Sequence, residues 1–530
     1  MFSGLVFYLW RHSFFTRAQL PLRLPAQKAA ALAGALMAFV YVSLAGFGVP
    51  AQRTLYMLSV VALAMWSGRL TSISHVLCLA LGVALVYDPW AVMWPGFWLS
   101  FGAVGILLYS GVGRVGSGPA TGWRGKWRKT LDEANRTQYA VTMGLVPLTL
   151  LLFGQISLVS PLANAVAIPL VSFVVTPLAL VGSVAPAPLS VWLLQMAHAC
   201  VAVLAQVLGW LSGLTLAVWS TPVPAPWMFA VAMLGTLWLL APRGWPMRWL
   251  GVLSWLPLLV NVPSHPGPNQ LWVTAFDVGQ GMALLVETEH RRLLYDTGPA
   301  YSPESDGGNR VIVPYLKARG ITRLDGVIVS HNDSDHSGGA QTVFAEMPVG
   351  WTLTSLAPDS AIVRTAPHHQ RCVAGQAWSW EGVQFDILQP QATTYASNKY
   401  KPNAHSCTLK ISLGSQSILL AGDIEAVQET ELVGSIPEKL RSTVLLAPHH
   451  GSGTSPTLPF LQTVRPELAI FQVGYLNRYH HPKPVVFERY AELGIRRLRS
   501  DDSGAIELRF GSDLAVEEYR AAHARYWYGR

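Results

Sequence analysis

The sequence predicts a polytopic α-helical membrane domain followed by a globular α/β domain. Of its 530 residues 51% are hydrophobic and 13% are charged, and the mean hydropathy is +0.32. These averages exclude a disordered chain, a disulfide-rich mini-protein and an ordinary soluble enzyme built as one piece. Lys and Arg outnumber Asp and Glu by 14 to 3 up to residue 262, whereas the remainder has 24 basic residues, 27 acidic residues and 12 of the 15 histidines. We therefore divide the chain into domains 1–262 and 263–530 and look for side-chain chemistry in the second.

The first domain consists of long apolar stretches, several of which have the roughly 20 residues needed to cross the hydrocarbon core of a membrane. The predicted spans lie near 29–49, 54–68, 73–88, 95–111, 139–159, 161–184, 190–215, 225–241 and 248–262. The second and the last are short enough to be re-entrant or interfacial segments. Pro and Gly residues inside the spans favour broken helices around a cavity, which a mere anchor would not need.

Basic residues orient these spans. They precede the first full span (Arg11, Arg17, Arg23 and Lys28) and fill the longest predicted inter-span loop (Arg114, Arg124, Lys126, Arg128, Lys129 and Arg136). By the positive-inside rule both segments are cytoplasmic, and four spans separate them. Four more predicted spans return the chain to the cytoplasm at Arg243 and Arg248, and one last short span carries it out again. The second domain is therefore expected outside the cytoplasm. That placement depends on the weakest span, residues 248–262.

Four polar residues lie within predicted spans: His75, Asn164, Gln195 and His198. Polar groups inside a membrane are costly and usually mark function. The alternative is that each sits at the end of a span or makes one interhelical hydrogen bond.

In the second domain, apolar runs repeatedly end in metal-binding residue types. One run ends at Asp296, and the next, residues 326–330, leads directly into His331, Asp333, Asp335 and His336. Later runs end at Asp423, at His449-His450 and near His481. A buried strand has a side-chain period of two, so His331 and Asp333 are delivered to the same side of an extended segment. The sequence therefore predicts one convergent metal site at an edge of a sheet.

In combination, Asp296, the block from His331 to His336, Asp423 and the run His449-His450-Gly451-Ser452 resemble the motifs of the metallo-β-lactamase superfamily. More narrowly, they resemble the ComEC family of competence proteins. Phrases of the first domain, Asp88-Pro89, residues 95–101 and residues 164–169, are similar to that family's competence region. The resemblance implies an αββα sandwich for the second domain. The family's N-terminal oligonucleotide-binding-fold domain and earliest spans are absent from this sequence, so we expect an N-terminally truncated form.

The resemblance also implies a function, which is DNA uptake in natural transformation. The first domain would be a conduit for single-stranded DNA in the bacterial inner membrane, and a periplasmic or extracellular nuclease domain would degrade the strand that is not imported. Expected partners are single- and double-stranded DNA, the lipid bilayer, a DNA receptor and a cytoplasmic motor. No phosphate-binding nucleotide loop occurs in the sequence, so an ATP-driven step would need a partner. The sequence leaves open whether the chain forms a homo-oligomer.

The same resemblance suggests roles for the site residues. Two divalent ions would be held by His331 and Asp333 on one side and by Asp335 and His336 on the other, with Asp423 as the bridge. His449 would complete the set of ligands around the second ion, and His450 would contact a phosphate or protonate the leaving group, although the two neighbours could exchange roles. Asp335 and His450 are thus the expected catalytic residues. Asp296, Ser406 and His481 are expected to orient ligands or to serve as further contacts.

The metal itself stays open between Mn²⁺, Zn²⁺ and Mg²⁺. Asp333 stands where many zinc hydrolases of this superfamily have a histidine, and an additional hard oxygen ligand favours Mn²⁺ or Mg²⁺, whereas the general affinity order favours Zn²⁺. Cys372 and Cys407 could pair if the domain lies in an oxidising compartment.

Two other functions fit the same sequence. One is a membrane-anchored metallo-hydrolase that acts on a non-nucleic phosphodiester or ester. The other is a DNA channel whose metal domain is only structural.

Overall fold

The computed structural model describes residues 2–12, 20–68, 72–112, 122–214, 216–242, 244–396, 401–525 and 528. The chain forms two compact units, Met1–Asn261 and Val262–Arg530. Three of the basic residues used for orientation, Arg17, Arg114 and Arg243, lie outside the described residues.

The first unit is helical. Its described α-helices are α1 (Phe2–His12), α2 (Leu20–Arg23), α3 (Ala26–Leu44), α4 (Val49–Ser67), α5 (Ile73–Tyr87), α6 (Pro95–Gly111), α7 (Gly122–Phe153), α8 (Ser160–Leu170), α9 (Thr176–Val184), α10 (Leu189–Ser212), α11 (Pro226–Leu240) and α12 (Leu256–Leu259). Two short strands, β1 (Gln155–Ser157) and β2 (Val218–Ser220), pair antiparallel. Most of these helices lie close to the predicted spans.

Three apolar helices of the described chain are long enough to cross a membrane: Ala26–Leu44, the continuous segment Ser160–Val184, and Leu189–Ser212. Three shorter apolar helices, Ser74–Tyr87, Pro95–Gly111 and Pro226–Leu240, accompany them. These helices fit a transmembrane protein. The number of spans stays a prediction.

Helix α7 departs from the expectation of a long basic loop. It has 32 residues, and its first half contains Arg124, Lys126, Arg128, Lys129 and Arg136. The loop prediction was therefore wrong for the described residues of this segment. Because Lys, Arg, Leu and Ala are good helix formers, the helix extends well beyond the apolar part of the sequence.

The segment predicted as one span at 161–184 is helical throughout but changes its winding. A π-helical turn, Val171–Val175, joins α8 to α9, and the N–H of Thr176 donates to the carbonyl of Val171. Pro169 and Pro177 flank this turn. Proline has no N–H to donate, so it interrupts the regular i to i−4 bonding and makes a wider turn acceptable.

The weakest predicted span, residues 248–262, forms a 3₁₀-helix, Arg248–Trp255, followed by α12. It runs antiparallel along α11. The Arg248 guanidinium donates to the carbonyl of Leu239, the Trp255 indole to the Thr236 hydroxyl at 2.9 Å, and the Asn261 amide to the carbonyl of Val223 at 3.1 Å. These bonds give the polar side-chain groups of Arg248, Trp255 and Asn261 partners within the helical unit.

This segment matches α11 in length although it has few helical residues. The 3₁₀-helix rises about 2.0 Å per residue, against about 1.5 Å in an α-helix. Its eight residues and the four of α12 therefore cover roughly 22 Å, about the same as the 15 residues of α11. Glycine lets the 3₁₀-helix approach α11 closely, because a Cβ at Gly251 would lie 2.2 Å from the Gly235 carbonyl oxygen.

The second unit contains two main sheets and short helices. Its strands are β3 (Leu271–Ala275), β4 (Leu284–Glu287), β5 (Arg292–Tyr295), β6 (Ala300–Ser302), β7 (Ser305–Asp306), β8 (Leu324–Val329), β9 (Val349–Thr354), β10 (His369–Arg371), β11 (Ala377–Trp380), β12 (Val383–Gln389), β13 (Thr408–Leu413), β14 (Gln416–Leu420), β15 (Val444–Leu446), β16 (Leu468–Phe471), β17 (Arg496–Arg499), β18 (Ile506–Phe510) and β19 (Ala515–Glu518). Its α-helices are α13 (Val313–Ala318), α14 (Ser334–Ser337), α15 (Ala340–Glu346), α16 (Ala361–Thr365), α17 (Ala426–Ser435), α18 (Pro437–Leu440), α19 (Leu458–Val464), α20 (Pro484–Glu492), α21 (Ser500–Ser503) and α22 (Tyr519–Ala522).

The strand order is β10-β9-β8-β5-β4-β3-β18-β19 in one sheet and β11-β12-β13-β14-β15-β16-β17 in the other. Strands β5, β8, β9 and β10 are parallel neighbours, as are β14, β15, β16 and β17. The remaining neighbours in the two sheets are antiparallel.

Three hydrophobic cores show that the sheets are stacked between two helical layers. Along β14, Ile418 and Leu420 belong to the core shared by the two sheets, whereas Leu419 packs with α17, α19 and α20 on the outer side. Leu294 of β5 likewise packs with α13 and α15 on the outer side of the first sheet. This alternation follows from the two-residue period of a strand. The predicted αββα fold is confirmed.

Candidate metal centre

The candidate site is built at the carboxyl ends of parallel strands. Asp296 directly follows β5, and Ser330 and His331 follow its parallel neighbour β8. Asp423 comes shortly after β14 in the other sheet, and His450 shortly after β15, which is parallel to β14. Because parallel strands end at the same edge of a sheet, residues distant in sequence meet there.

His336 is held in one orientation by Asp296. The Nδ1 atom of His336 lies 2.7 Å from Asp296 Oδ2, and Ser330 donates to the same carboxylate through its backbone N–H and its hydroxyl. Because an ionised carboxylate can only accept a hydrogen bond, this contact places the imidazole proton on Nδ1. The Nε2 lone pair of His336 is therefore directed at the site, as in a histidine that binds metal.

His450 is oriented in the same way by a carbonyl. Its Nδ1 lies 2.7 Å from the carbonyl oxygen of Gln472, which can only accept, so the proton is again on Nδ1. The Nε2 atoms of His450 and His336 face each other at 3.2 Å. Two imidazole lone pairs at this distance repel each other unless a proton or a metal cation lies close to both.

The Asp423 carboxylate separates two groups of side chains. Its Oδ1 is 3.1 Å from His336 Nε2 and 3.8 Å from His450 Nε2, and His450 is also 3.4 Å from Asp335. Its Oδ2 is 4.0 Å from His331 Nε2 and 3.7 Å from His449 Nε2, and Asp333 is 3.6 Å from His331. Each oxygen of this carboxylate thus lies near two histidines, and one further aspartate lies beside a histidine of each pair.

The donor atoms fit divalent metal ions. His331, His336 and Asp423 form one group whose donor atoms lie within 4.8 Å of one another, and Asp335, His336 and His450 form a second. His331 Nε2 and Asp423 Oδ1 are buried without a hydrogen-bond partner among the described residues. Buried polar atoms are normally paired, so two unpaired buried atoms in one cluster of metal-binding residue types fit the binding of a cation.

The electrostatics of the cluster favour positive charge. Burial opposes the charging of His336 and His450, but the Asp423 carboxylate outweighs it and, with Asp296 beside His336 and Asp335 beside His450, raises the pKa of both. Burial likewise opposes ionisation of Asp423, yet His336 and His450 hold its pKa well below the usual range. The pKa of Asp335 is lowered by the same two histidines against its own desolvation.

His449 and His481 form the more open side of the site. Burial lowers the pKa of His449, and burial with the neighbouring His450 and His449 lowers that of His481 to about 4. The two rings are 6.0 Å apart in an edge-to-face arrangement, and the His449 side chain is 22% exposed. Both histidines are therefore neutral at neutral pH and able to accept a proton or to bind a metal.

Every residue proposed from the sequence lies in or beside this cluster, but the adjacent histidines differ in position. His450, rather than His449, stands with Asp335 and His336, whereas His449 is on the side of His331 and Asp333. Ser406 lies against the His331 ring at 3.4 Å and accepts from the backbone N–H of Asp423 at 3.1 Å.

Sequence reasoning missed Ser330 and Gln472. Ser330 could have been suspected because it directly precedes His331 at a strand end. Gln472 contributes a backbone carbonyl, and no side-chain pattern can signal that.

A disulfide between Cys372 and Cys407 braces the same region. The backbone N–H of Cys407 donates to the Ser330 carbonyl, and the Tyr295 hydroxyl donates to the carbonyl of Cys407 at 2.7 Å. Cys407 also neighbours Ser406. The bridge therefore fixes a segment of β13 beside the ligands that follow β8.

Comparison with known proteins identifies both units. A family model for competence proteins matches residues 1–246, and one for the metallo-β-lactamase superfamily matches residues 276–354. Over 511 residues the chain is 38% identical to competence protein ComA of Neisseria gonorrhoeae, an overlap of 95% of this chain and 69% of that protein. The chain belongs to the competence-protein family. The family resemblance that the motifs predicted is confirmed.

Other relatives in the competence-protein comparison are more distant. Recombination protein 2 of Haemophilus influenzae is 30% identical over 94% of this chain and 65% of its own length. ComE operon protein 3 of Bacillus subtilis is 27% identical over 82% of this chain and 58% of its own length. The chain thus spans between about half and two thirds of these two proteins.

Solved structures similar to this chain include CmlA, a diiron β-hydroxylase from Streptomyces venezuelae, at 13% identity and a TM-score of 0.32 over 55% of this chain and 64% of that one. A diphosphatase of the PhnP family is 14% identical, with a TM-score of 0.28 over 46% of this chain and all of that one. The second unit of this competence-family protein is a metallo-β-lactamase domain, and this superfamily implies divalent metal binding.

Proposed function

We propose that this competence-family protein acts in DNA uptake during natural transformation. The helical unit is a conduit for single-stranded DNA, and the metallo-β-lactamase domain is a nuclease that degrades the strand that is not imported. The observation that carries the enzymatic part is the Asp423 carboxylate, each oxygen of which lies near two histidines, with one further aspartate beside a histidine of each pair. Family membership supports the role in DNA uptake.

We infer the ligand sets from the Asp423 oxygen that each histidine approaches and from the aspartate beside it. His331, Asp333 and His449 would hold one divalent ion, Asp335, His336 and His450 would hold the other, and Asp423 would contribute to both sets. Two such ions would supply a hydroxide nucleophile at neutral pH and would neutralise charge on a phosphodiester. The donor set contains three carboxylates and four imidazoles, which fits Mn²⁺ or Zn²⁺, and Mg²⁺ less well.

The protein's own residues orient these donors and meet the substrate. Asp296 and the Gln472 carbonyl fix the ring tautomers of His336 and His450, so both Nε2 atoms keep their lone pairs toward the site. His450 is 1% exposed, and it is therefore better placed to bind metal than to touch a phosphate. We assign substrate contact to His481, which is neutral at neutral pH and whose ring stacks on Tyr479 at the more open side.

We place this domain outside the cytoplasm of an inner-membrane protein with several spans. Residues 248–261 run back along the whole of α11, so the chain returns to the end at which α11 began. That end is opposite to the cytoplasmic one by the positive-inside count. The disulfide supports the same side, because disulfides persist in oxidising compartments. A DNA receptor and a cytoplasmic motor are part of the proposal.

The test is DNA cleavage by the purified full chain in detergent, with Mn²⁺, Zn²⁺ or Mg²⁺ added and with single- and double-stranded substrates. We expect metal-dependent cleavage that Asp335→Ala abolishes. Asp513→Ala, which removes an exposed carboxylate in the turn between β18 and β19, is the matched control and should cleave normally.

Two results would count against the nuclease. Intact DNA with metal demonstrably bound, together with hydrolysis of another phosphodiester or ester, would favour a non-nucleic substrate. Normal DNA uptake by cells that carry Asp335→Ala, with metal binding lost, would leave the metal domain a structural role only.

A further inference from the structure

Among the described residues of the helical unit, Arg53 is a buried cation whose guanidinium has unpaired atoms. Arg53 lies in the first turns of α4 and is 9% exposed. Its Nε and Nη1 atoms have no hydrogen-bond partner among the described residues, and no carboxylate of the described chain forms an ion pair with it. Arg53 falls just outside the predicted span 54–68.

The guanidinium lies over the beginning of α6. A Cβ atom added to Gly96 would be 2.9 Å from Arg53 Nη2, 3.2 Å from Nη1 and 3.5 Å from Cζ. Gly96 is the second residue of this 17-residue helix, where backbone N–H groups have no intrahelical acceptor. The positive end of a helix dipole and a full positive charge therefore converge on one place, an arrangement that attracts an anion.

Asp88 forms no ion pair with Arg53 among the described residues. Asp88, at the end of α5, accepts a hydrogen bond from the backbone N–H of Trp90 at 3.1 Å and caps a short 3₁₀-helix, Pro89–Met93. Phe97, 1% exposed, and Ala91, 3% exposed, belong to the apolar core of this region. An unpaired buried charge costs several kcal/mol, roughly, unless a ligand compensates it.

The site lies at the end of the bundle where an imported strand would enter. Helices α4 and α6 begin there and α5 ends there, whereas Lys28 and the basic half of α7 belong to the opposite end by the order of the helices. The positive-inside rule makes that opposite end cytoplasmic. Exposed Trp90 and Trp94 indicate that the Arg53 end reaches the membrane–water interface.

We propose that Arg53 and the start of α6 bind a backbone phosphate of single-stranded DNA as it enters the helical unit. A bidentate guanidinium suits a phosphodiester, and the absence of a side chain at Gly96 lets the guanidinium lie against the start of α6. DNA is favoured over a lipid headgroup because the guanidinium is buried inside the helical unit rather than on its lipid-facing surface. This inference rests on the proposed conduit and is independent of the nuclease.

The experiment measures binding of a fluorescent oligothymidylate to the full chain in detergent, with EDTA present so that no cleavage is needed. Arg53→Gln should weaken binding about tenfold and reduce the slope of log K against log salt by about 0.7. Arg53→Lys should retain most of the affinity, because it keeps the charge. Arg23→Gln, which removes an exposed charge, is the matched control and should bind normally.

A second variant keeps the Arg53 charge and adds a side chain at the position where the guanidinium lies. Gly96→Ala puts a methyl group against the guanidinium, and we expect it to weaken binding as Arg53→Gln does, which keeps the test valid if Arg53→Gln does not fold. An oligonucleotide with an uncharged methylphosphonate backbone should be insensitive to all of these changes.

Two outcomes would overturn the proposal. The first is equal affinity of Arg53→Gln and Arg23→Gln for the charged oligonucleotide. The second is the loss of a tightly bound phospholipid from Arg53→Gln, seen by native mass spectrometry, with DNA binding unchanged, which would make the ligand a lipid headgroup. Neither outcome depends on whether the metal site cleaves DNA.

Discussion

Asp296 acts on the metal centre through His336 rather than by facing it. It accepts two hydrogen bonds from Ser330 and lies 2.7 Å from His336 Nδ1. Replacing the carboxylate with a neutral amide weakens the hold on the imidazole proton, and changes of this kind typically lower metal affinity by about 10- to 100-fold. We expect Asp296→Asn to bind Zn²⁺ or Mn²⁺ that much more weakly in competition with a fluorescent chelator.

The matched control for Asp296→Asn is Asp513→Asn, which should keep the wild-type affinity. Thermal unfolding of both variants separates a loss of ligand orientation from a loss of fold. Equal metal affinity in Asp296→Asn and wild type would show that the contact with Asp296 does not orient His336 for metal binding.

At the same scale, the residue types of the site could be predicted from the sequence, but their arrangement only in part. Apolar runs that end in Asp or His predicted which side chains converge. The choice between His449 and His450 could not be made, since both residues adopt positive φ, at 49° and 53°, and the turn sends neighbouring side chains in different directions. A period of two applies to a strand and not to such a turn.

Glu429 makes the stability of one element, the loop that precedes α19, depend on pH. Its fully buried carboxylate accepts from the backbone N–H of Thr457 at 2.6 Å and from the Ser455 hydroxyl. Burial raises the pKa of Glu429 above its ordinary value of 4.5. The folded state therefore binds the proton more tightly than the unfolded state, and stability falls as pH rises from about 4.5 to the raised pKa.

The variant Glu429→Gln removes this titration and retains hydrogen-bonding groups of similar shape. The test measures the thermal midpoint of the full chain in detergent as a function of pH. The midpoint of Glu429→Gln minus that of the wild type should increase as the pH rises from about 4 to about 7. Glu438→Gln, at an exposed position of α18, should leave the pH profile as it is. Parallel profiles for Glu429→Gln and wild type would contradict the buried titration.

The disulfide joins the end of the strand β10 in one sheet to the segment that begins β13 in the other. It closes a separation of 35 residues, for which the chain-entropy model gives about 3 to 4 kcal/mol of stabilisation. Replacing Cys372 and Cys407 together by Ala should lower the free energy of unfolding of the domain by that order, and urea unfolding monitored by fluorescence measures it.

A reducing agent should lower the stability of the wild type but not that of the double variant. Cys78 and Cys200, both free, provide a control pair in the helical unit, and their replacement should leave the urea midpoint of the domain unchanged. A reductant effect that persists in the variant without Cys372 and Cys407 would exclude the bridge as its cause.

At the scale of elements, hydropathy predicted the positions of the apolar helices well where a helix is regular. Hydropathy failed where the type of helix changes and where a helix is charged. The 3₁₀-helix Arg248–Trp255 covers a long distance with few residues, and the basic half of α7 is helical although it is not apolar. Hydropathy measures the preference of side chains for lipid, and neither rise per residue nor helix propensity enters that measure.

For the whole molecule, the path of residues 248–261 decides on which side of the membrane the second unit lies. A reporter enzyme that is active only outside the cytoplasm should be active when fused after residue 221 and after residue 262, and inactive when fused after residue 242. The first two positions are expected on the same side because the segment runs back along α11. Activity after residue 242 but not after residue 262 would invert the proposed orientation.

The length of α7 separates a basic, indole-bearing end from an apolar end. Its 32 residues extend about 48 Å, whereas the hydrocarbon core of a typical bilayer is about 30 Å thick. Exposed Trp123 and Trp127 lie among the basic residues of the first half of this helix. Indole rings and cationic side chains favour the headgroup region, and anionic lipids attract the cations further. We therefore expect anionic lipid to bind this end of α7 more tightly than neutral lipid does.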